Sequence, residues 1–223
     1  MIRFFLLSIL TVTFSGCVHL EEYIQINRNG SAKVIMSYSI PVEGLTLLED
    51  CEAVLNELNG RAEGSSVLPR IFDAAKLKEH FKKYKGVDVI SARVTRIKGE
   101  RIQTYLNLYV EDFRKVLRDG LLPYTTLEKD GDNYVFAARY PFNLEKLKEK
   151  PSLKKILSEI KVNFKVKTPT EIVKTNAPRN LANLAEWNFS AEKNPFTETD
   201  GRFTVHFKAA GLSFLEDREK KKP

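Results

Sequence analysis

Apolar and polar residues alternate near the start of the chain, on both sides of an Asn29-Gly30 pair. The alternation covers residues 20–26 before the pair and residues 32–40 after it, and Pro41 follows. A period of two is that of a strand with one buried face, and Asn-Gly between two such runs strongly indicates a tight turn. The sequence therefore predicts a β-hairpin that ends at Pro41.

The same pattern recurs further along the chain. A second hairpin is predicted from Val87 to Val110, with its turn at Lys98-Gly99-Glu100. A third is predicted from Tyr124 to Tyr140, with its turn at residues 130–133. Later alternating runs predict further strands. These strands are expected at residues 162–166, 171–174, 184–189 and 202–208.

Between the hairpins, apolar residues recur at the spacing of an α-helix, about 3.6 residues. A short helix is expected between Asp112, a suitable N-cap, and Gly120, a suitable stop. Further helices are predicted at residues 44–59, 73–85, 143–149 and 152–160, and flexible loops at 60–70 and 191–201. The expected fold class is α+β, a largely antiparallel sheet built from β-hairpins with helices packed on one face.

The N-terminus has the order of an export signal. Arg3 supplies a positive charge, residues 4–14 are mainly apolar, and Ser15 and Gly16 are small. As a helix the apolar run would span about 16 Å, whereas the hydrocarbon core of a membrane is about 30 Å thick. Residues 1–16 are therefore predicted to be a signal peptide rather than a membrane-spanning helix.

Cys17 follows directly, and Phe14-Ser15-Gly16-Cys17 resembles the lipobox of bacterial lipoproteins. The resemblance implies cleavage before Cys17 and attachment of fatty acyl chains such as palmitate, which anchor the protein to a membrane. Phe14 departs from the pattern, in which Leu, Val or Ala is more usual. The alternative is an ordinary secretory signal with a chance cysteine. Cys17 is thus the predicted lipidation site.

The composition fits a water-soluble domain beside a membrane. Charged residues make up 29% of the chain and its net charge is +7. After Cys17 no apolar run approaches the length of about 18 residues that a spanning helix needs. Basic residues cluster at 76–85, 146–167 and 218–222. These clusters either contact anionic head groups or form solvated helix faces, and the second interpretation is preferred. Nucleic-acid binding is not expected, because these clusters lack interleaved aromatic platforms.

Cys51 is the second of the two cysteines. If Cys17 is acylated, Cys51 has no intramolecular partner, so no internal disulfide is expected. Its place among the apolar residues of a predicted helix favours a buried structural cysteine over a reactive thiol.

Two late segments resemble the LppM-type lipoprotein domain. One is residues 162–177, a strand that ends at Pro169 followed by a stretch that ends in Asn176-Ala177. The other is residues 185–189, a strand that carries Trp187. The hairpin from Tyr23 to Ile40 is the early element of the same pattern. From the residues themselves, Asn176 is expected in a turn and Trp187 in the core.

The resemblance implies an envelope domain over residues 17–215 that handles lipid or another hydrophobic ligand, with a charged tail at 216–223. Some relatives carry a C-terminal membrane helix, whereas this chain ends in a charged run that starts at Arg218. The lipid on Cys17 is therefore expected to be the attachment to the membrane.

No catalytic residue, metal site or cofactor is predicted. His19, His80 and His206 lie on different predicted elements, and the chain contains no HExxH, paired CxxC, GxSxG or glycine-rich phosphate loop. Residues 130–133 are interpreted as a hairpin turn, because they lack the loop length and the terminal Glu of a calcium site. The chain is therefore predicted not to be an enzyme.

The favoured hypothesis is a membrane-anchored, non-catalytic lipoprotein of the bacterial cell envelope that binds lipid or another hydrophobic ligand. The alternative is a structural or protein-interaction component of an envelope assembly, and an enzyme is the least favoured. Val18 occupies the place of the Asp that commonly retains lipoproteins at the inner membrane of enteric-type bacteria. This favours the periplasmic face of the outer membrane, if the host is Gram-negative.

Overall fold

The structure of the protein is a computed structural model, and it describes residues 18–42, 72–98, 100–139, 161–190 and 201–214. Strands account for 59% of these residues and helices for 11%. The helices are α1 (Ala74–Lys82) and α2 (Phe113–Arg118). The strands are β1 (His19–Ile26), β2 (Ala32–Pro41), β3 (Val87–Ile97), β4 (Arg101–Val110), β5 (Thr125–Asp130), β6 (Asn133–Arg139), β7 (Lys161–Lys167), β8 (Ile172–Thr175), β9 (Arg179–Leu181), β10 (Leu184–Phe189) and β11 (Arg202–Lys208).

The larger sheet has seven strands in the order β3-β4-β2-β1-β7-β10-β9. Its hairpins β1–β2 and β3–β4 join through β2 and β4, and every neighbouring pair but one is antiparallel. The exception is β1 and β7, which run parallel and place Ile24 opposite Val166. Parallel neighbours need a long connection, and here the connection from β1 to β7 includes β2 to β6 and both helices.

The smaller sheet has four antiparallel strands in the order β5-β6-β11-β8. Its apolar face packs on the part of the larger sheet that contains β7 and β10. The ring centroid of Phe164 on β7 lies 5.0 Å from that of Phe203 on β11 and 6.2 Å from that of Phe136 on β6. Side chains from both sheets therefore form one continuous hydrophobic core.

Both helices begin at an aspartate N-cap. Asp73 accepts hydrogen bonds from the backbone N–H groups at the start of α1, which buries Leu77 and Phe81 and lies against β3. Asp112 accepts one from the N–H of Lys115 at the start of α2, which buries most of its residues. These bonds satisfy N–H groups that have no partner within the helix. The short helix predicted after Asp112 is thus confirmed, and the helix predicted at 73–85 is confirmed in a shorter form.

The predicted α+β class is wrong for the described residues, which are mainly β and form two sheets. The prediction assumed that helices would cover the apolar face of a single sheet. Instead, the apolar residues of β5, β6 and β11 cover it as a second sheet. The alternation in the sequence identifies each strand but not the sheet that the strand joins, and this is why a second sheet was not expected.

The individual hairpins and strands are confirmed. The three predicted hairpins are β1–β2, β3–β4 and β5–β6, and the late strands are β7, β8, β10 and β11. The short strand β9 was not predicted. Cys17, Cys51, the helices expected at 44–59, 143–149 and 152–160, the loop at 60–70 and the tail at 216–223 lie outside the described residues, as does nearly all of the loop at 191–201.

The Asn29-Gly30 turn packs closely against the end of the described chain. Gly30 has a φ of +88°, and a Cβ atom there would lie 3.2 Å from the ring of Phe214. The carbonyl of Gly30 also accepts a hydrogen bond of 3.0 Å from the N–H of Phe113. Both the backbone conformation and the close approach therefore require glycine at this position.

Candidate functional site

A row of neighbouring side chains crosses the inner face of the larger sheet, the face that packs on the smaller sheet at β7 and β10. The strand registers place one residue of each of six strands side by side in this row. In order from β3 to β10, they are Ala92, Leu106, Met36, Glu22, Phe164 and Trp187. All of them except Glu22 belong to the buried hydrophobic core. We call this set the Glu22 row.

Glu22 occupies an inward position because side chains alternate along β1. Ile24 and Ile26, at even positions of the same strand, are fully buried. Directly opposite Glu22 are Met36 on β2 and Phe164 on β7. The Glu22 carboxyl has no hydrogen bond or ion pair with another residue in the described part of the chain. A carboxyl group thus faces the core without a partner.

Burial raises the pKa of Glu22 from its usual 4.5 to about 7, and no nearby charge contributes to this change. Part of the residue surface nevertheless remains accessible to solvent. Near neutral pH the group therefore exists in both forms, and the protonated form can donate as well as accept a hydrogen bond. A carboxyl whose pKa is strongly raised by its surroundings is a candidate functional group.

Trp187 supplies a second unsatisfied group in the same row. The residue is only 2% exposed, and its ring lies 5.4 Å from that of Phe164 and 5.3 Å from that of Phe203. Its indole Nε1–H has no acceptor among the described residues. Leaving a buried donor unpaired costs about 1–3 kcal/mol. The Glu22 row therefore holds an unpaired carboxyl and an unpaired N–H donor on either side of Phe164.

Further polar side chains lie in the adjacent row, nearer the start of β1. Tyr38 is diagonally opposite Glu22, beside Met36, and its hydroxyl donates a hydrogen bond of 3.1 Å to the sulfur of Met36. Thr104 is paired with Tyr38 across β2 and β4 and is fully buried. Polar groups on the inner face thus concentrate towards this end of the sheet, whereas the row of Ile24, Val34, Leu108 and Val166 is apolar.

A carboxylate on the outer face of the same sheet, that of Glu186, is paired with cations. Glu186 on β10 contacts Lys165 at 2.9 Å and Arg179 at 3.3 Å, and its side chain is 10% exposed. The hydrogen bond from Lys165, with smaller contributions from Asn188 and the charge of Arg179, lowers the pKa of Glu186. Glu186 is therefore held as a paired carboxylate, in contrast to Glu22.

The residues singled out from the sequence do not come together in one site. Cys17 lies outside the described residues, and the carbonyl of Val18 accepts a hydrogen bond of 2.8 Å from the N–H of Lys161. His19, His80 and His206 lie on β1, α1 and β11. Among the described residues, no group of three or more His, Cys, Asp or Glu side chains could hold a metal ion.

The prediction that Trp187 lies in the core is confirmed. Asn176 follows β8 in an extended connection rather than in a turn. It bridges to β11, because its amide donates to the carbonyl of Arg202 and accepts from the N–H of Thr204. Residues 130–133 form the β5–β6 turn. None of the helices that the structure describes is long and apolar enough to span a membrane.

Glu22 was missed by the sequence analysis. The signal was present, because Glu22 falls between Leu20 and Ile24 at the even positions of an alternating strand. A charged residue at an inward position is either exposed by the fold or buried at a cost, and the sequence does not decide between the two.

No family model matches the chain, and no curated protein matches it either. Among solved structures, the chain is similar to the NMR structure of the folded domain of the Mycobacterium tuberculosis LppM protein. The two are 10% identical with a TM-score of 0.48, and the match covers 89% of this chain and 94% of that one.

Proposed function

We propose that the protein is a lipoprotein of the bacterial cell envelope, anchored through Cys17, whose domain binds an apolar ligand at the Glu22 row. The observation that carries this proposal is the unpaired carboxyl of Glu22 within a row of buried apolar side chains. The anchor is supported by the signal-like segment and the lipobox pattern before Cys17. The role is non-catalytic binding.

The chemistry of the row restricts the ligand. Apolar neighbours such as Met36 and Phe164 favour a hydrocarbon portion, because burial of apolar area supplies most of the binding free energy. Glu22 and the Nε1–H of Trp187 each lack a partner. A ligand that carries a hydroxyl or amide group beside its hydrocarbon part supplies both a donor and an acceptor. The proposed ligand class is therefore a lipid with such a polar group.

The test is to isolate the protein from its native membrane and to identify co-purifying lipids by mass spectrometry. Glu22→Leu removes the carboxyl and keeps the position apolar, so a ligand paired with it should bind about 10- to 100-fold more weakly. Trp187→Phe removes the N–H and retains an aromatic ring. Wild type is expected to retain a lipid that both variants lose in large part.

The matched control is Glu21→Leu, because Glu21 is exposed on the opposite face of the same strand. This variant is expected to retain the lipid as wild type does. If wild type carries no apolar molecule, or if Glu21→Leu and Glu22→Leu lose it equally, binding at the Glu22 row is excluded.

A further inference from the structure

One end of the larger sheet lies next to the predicted anchor, and we call it the anchor end. It contains the start of β1, one residue after Val18. The pairing of β1 with its neighbours shows which other strand ends lie there. His19 lies opposite Ser39 near the end of β2 and opposite Lys161 at the start of β7. The pairing of Pro41 with Arg101, and of Arg101 with Ile97, adds the start of β4 and the end of β3.

Cations surround His19 at the anchor end. Burial, followed by the positive charges of Arg101 and Lys161, lowers the pKa of His19, and Glu21 opposes this effect. The Arg101 guanidinium is held in place by hydrogen bonds of 3.0 and 3.1 Å to the hydroxyl and carbonyl oxygens of Ser39. Lys161 is exposed. The residue beside the anchor therefore lies in a positive local field.

The smaller sheet adds two arginines at the same end. Arg139 on β6 and Arg202 on β11 are directly opposite each other, and both are exposed. The ring of Phe203, next to Arg202, lies 6.1 Å from that of Phe189 at the end of β10, which belongs to the anchor end. Both sheets therefore place exposed basic residues at the anchor end.

The anchor end also exposes an apolar side chain. Ile97, at the tip of the β3–β4 hairpin, is 41% exposed and lies between Arg96 and Lys98. Of the acidic residues in the described ranges, Glu21, Glu22 and Glu100 lie near this end. Several acidic residues lie instead at the opposite end, beside the turns that follow β4, α2 and β5. These are Glu111, Asp112, Asp119, Asp130 and Asp132.

We infer that the anchor end is a docking surface for the anionic head groups of a membrane, with Arg139, Lys161, Arg202 and Ile97 in contact with the lipid surface. Basic residues are attracted to anionic head groups, and an exposed isoleucine among them can enter the interface. The orientation of the domain on the membrane rests on the proposed acylation of Cys17. The attraction of the anchor end to anionic lipid does not depend on it. Glu22 lies three residues along β1 from His19, about 10 Å from this surface.

The test separates this surface from the lipid anchor. The mature chain, residues 17–223 with Cys17→Ser, carries no acyl group and is mixed with phosphatidylcholine vesicles that contain or lack phosphatidylglycerol. Sedimentation of the vesicles measures the bound fraction. We expect binding to the anionic vesicles that weakens as salt is added, because salt screens exposed charges.

Two double variants with the same change in charge locate the surface. The combination Arg139→Gln with Lys161→Gln removes two exposed cations from the anchor end, and Lys33→Gln with Lys129→Gln removes two exposed cations near the opposite end. Each cation at a membrane surface contributes about fivefold to binding, so the first pair is expected to weaken it about 25-fold. The second pair is expected to bind nearly as wild type does. Unfolding midpoints establish that both variants are folded.

Ile97→Ser tests the apolar contact, with Ile90→Ser as its control because Ile90 is 62% exposed nearer the other end of β3. Only the first is expected to reduce vesicle binding. The inference is overturned if anionic vesicles are not preferred, or if both double variants weaken binding equally. Failure of the anchor would instead appear as an unchanged thiol at Cys17 in the mass of the full-length protein, whatever the vesicles show.

Discussion

Glu22 and Phe164 lie directly opposite each other on the parallel strands β1 and β7. Phe164 in turn contacts Trp187 and Phe203, so the carboxyl of Glu22 is placed at the margin of an aromatic cluster that joins the two sheets. Such surroundings disfavour a charge, because they reduce the hydration of the carboxylate and supply no counter-ion in exchange. This placement has a measurable consequence for stability.

Glu22→Gln is expected to stabilise the protein at high pH. The pKa of folded Glu22 is about 7, against 4.5 for an ordinary Glu, so between these pH values the folded state binds more protons than the unfolded state. The free energy of unfolding therefore falls as pH rises from 4.5 to 7, by up to about 3 kcal/mol. Gln does not ionise and avoids this cost.

Urea denaturation of wild type and Glu22→Gln at pH 4.5 and pH 8 measures the effect. The two proteins should be similarly stable at the lower pH, and the variant more stable at the higher pH. Glu21→Gln, on the exposed face of the same strand, should follow the pH profile of wild type. A constant difference between wild type and Glu22→Gln at both pH values would contradict a buried, titrating Glu22.

Glu186→Gln is expected to have the opposite effect, because it should lower the free energy of unfolding near neutral pH. The hydrogen bond from Lys165 lowers the pKa of Glu186, so the carboxylate contributes stability above pH 4.5 that is lost as pH falls through the folded pKa. Removing its charge at pH 7 should cost about 1–2 kcal/mol, since Lys165 and Arg179 lose their partner. Below the folded pKa the variant and wild type should converge. Equal destabilisation across this range would show that the ion pairs contribute nothing.

The strands could be predicted from the sequence because each has its own alternation and turn. Asn29-Gly30 and the alternating runs at 20–26 and 32–40 are sufficient to define β1–β2 without any other part of the chain. The parallel pairing of β1 with β7 could not be predicted in this way. It joins residues far apart in the chain, and the apolar pattern of Val162, Phe164 and Val166 fits several neighbours equally well.

The candidate sites likewise combine local features that the sequence predicts with long-range neighbours that it does not. Trp187 was predicted in the core from its strand, whereas its unpaired Nε1–H depends on which residues the other sheet brings near. The basic clusters noted in the sequence are runs of neighbours along the chain. The anchor end instead gathers Arg101, Arg139 and Arg202 from three strands. Only the register places these arginines at one end of the two sheets.

Cys17→Ala is expected to release the protein from membranes or to leave its signal peptide uncleaved. Acylation of the thiol precedes cleavage in the lipoprotein pattern that residues 14–17 resemble. Membrane fractionation with intact-mass measurement follows both outcomes, and Cys51→Ala serves as the control because it removes the other thiol. A Cys17→Ala protein that remains with membranes at the mass of the mature wild type would exclude this anchor.

Gly30→Ala is expected to destabilise the protein by about 2–3 kcal/mol, because it combines a strained backbone with a steric clash. The φ of Gly30 is +88°, and the new Cβ would lie 3.2 Å from the ring of Phe214. Gly131→Ala is the matched control, since Gly131 has a φ of +56° and no atom within 4 Å of its Cβ position. The control retains only the backbone cost of about 1 kcal/mol. Equal losses in denaturant titrations would mean that Phe214 does not pack on this turn.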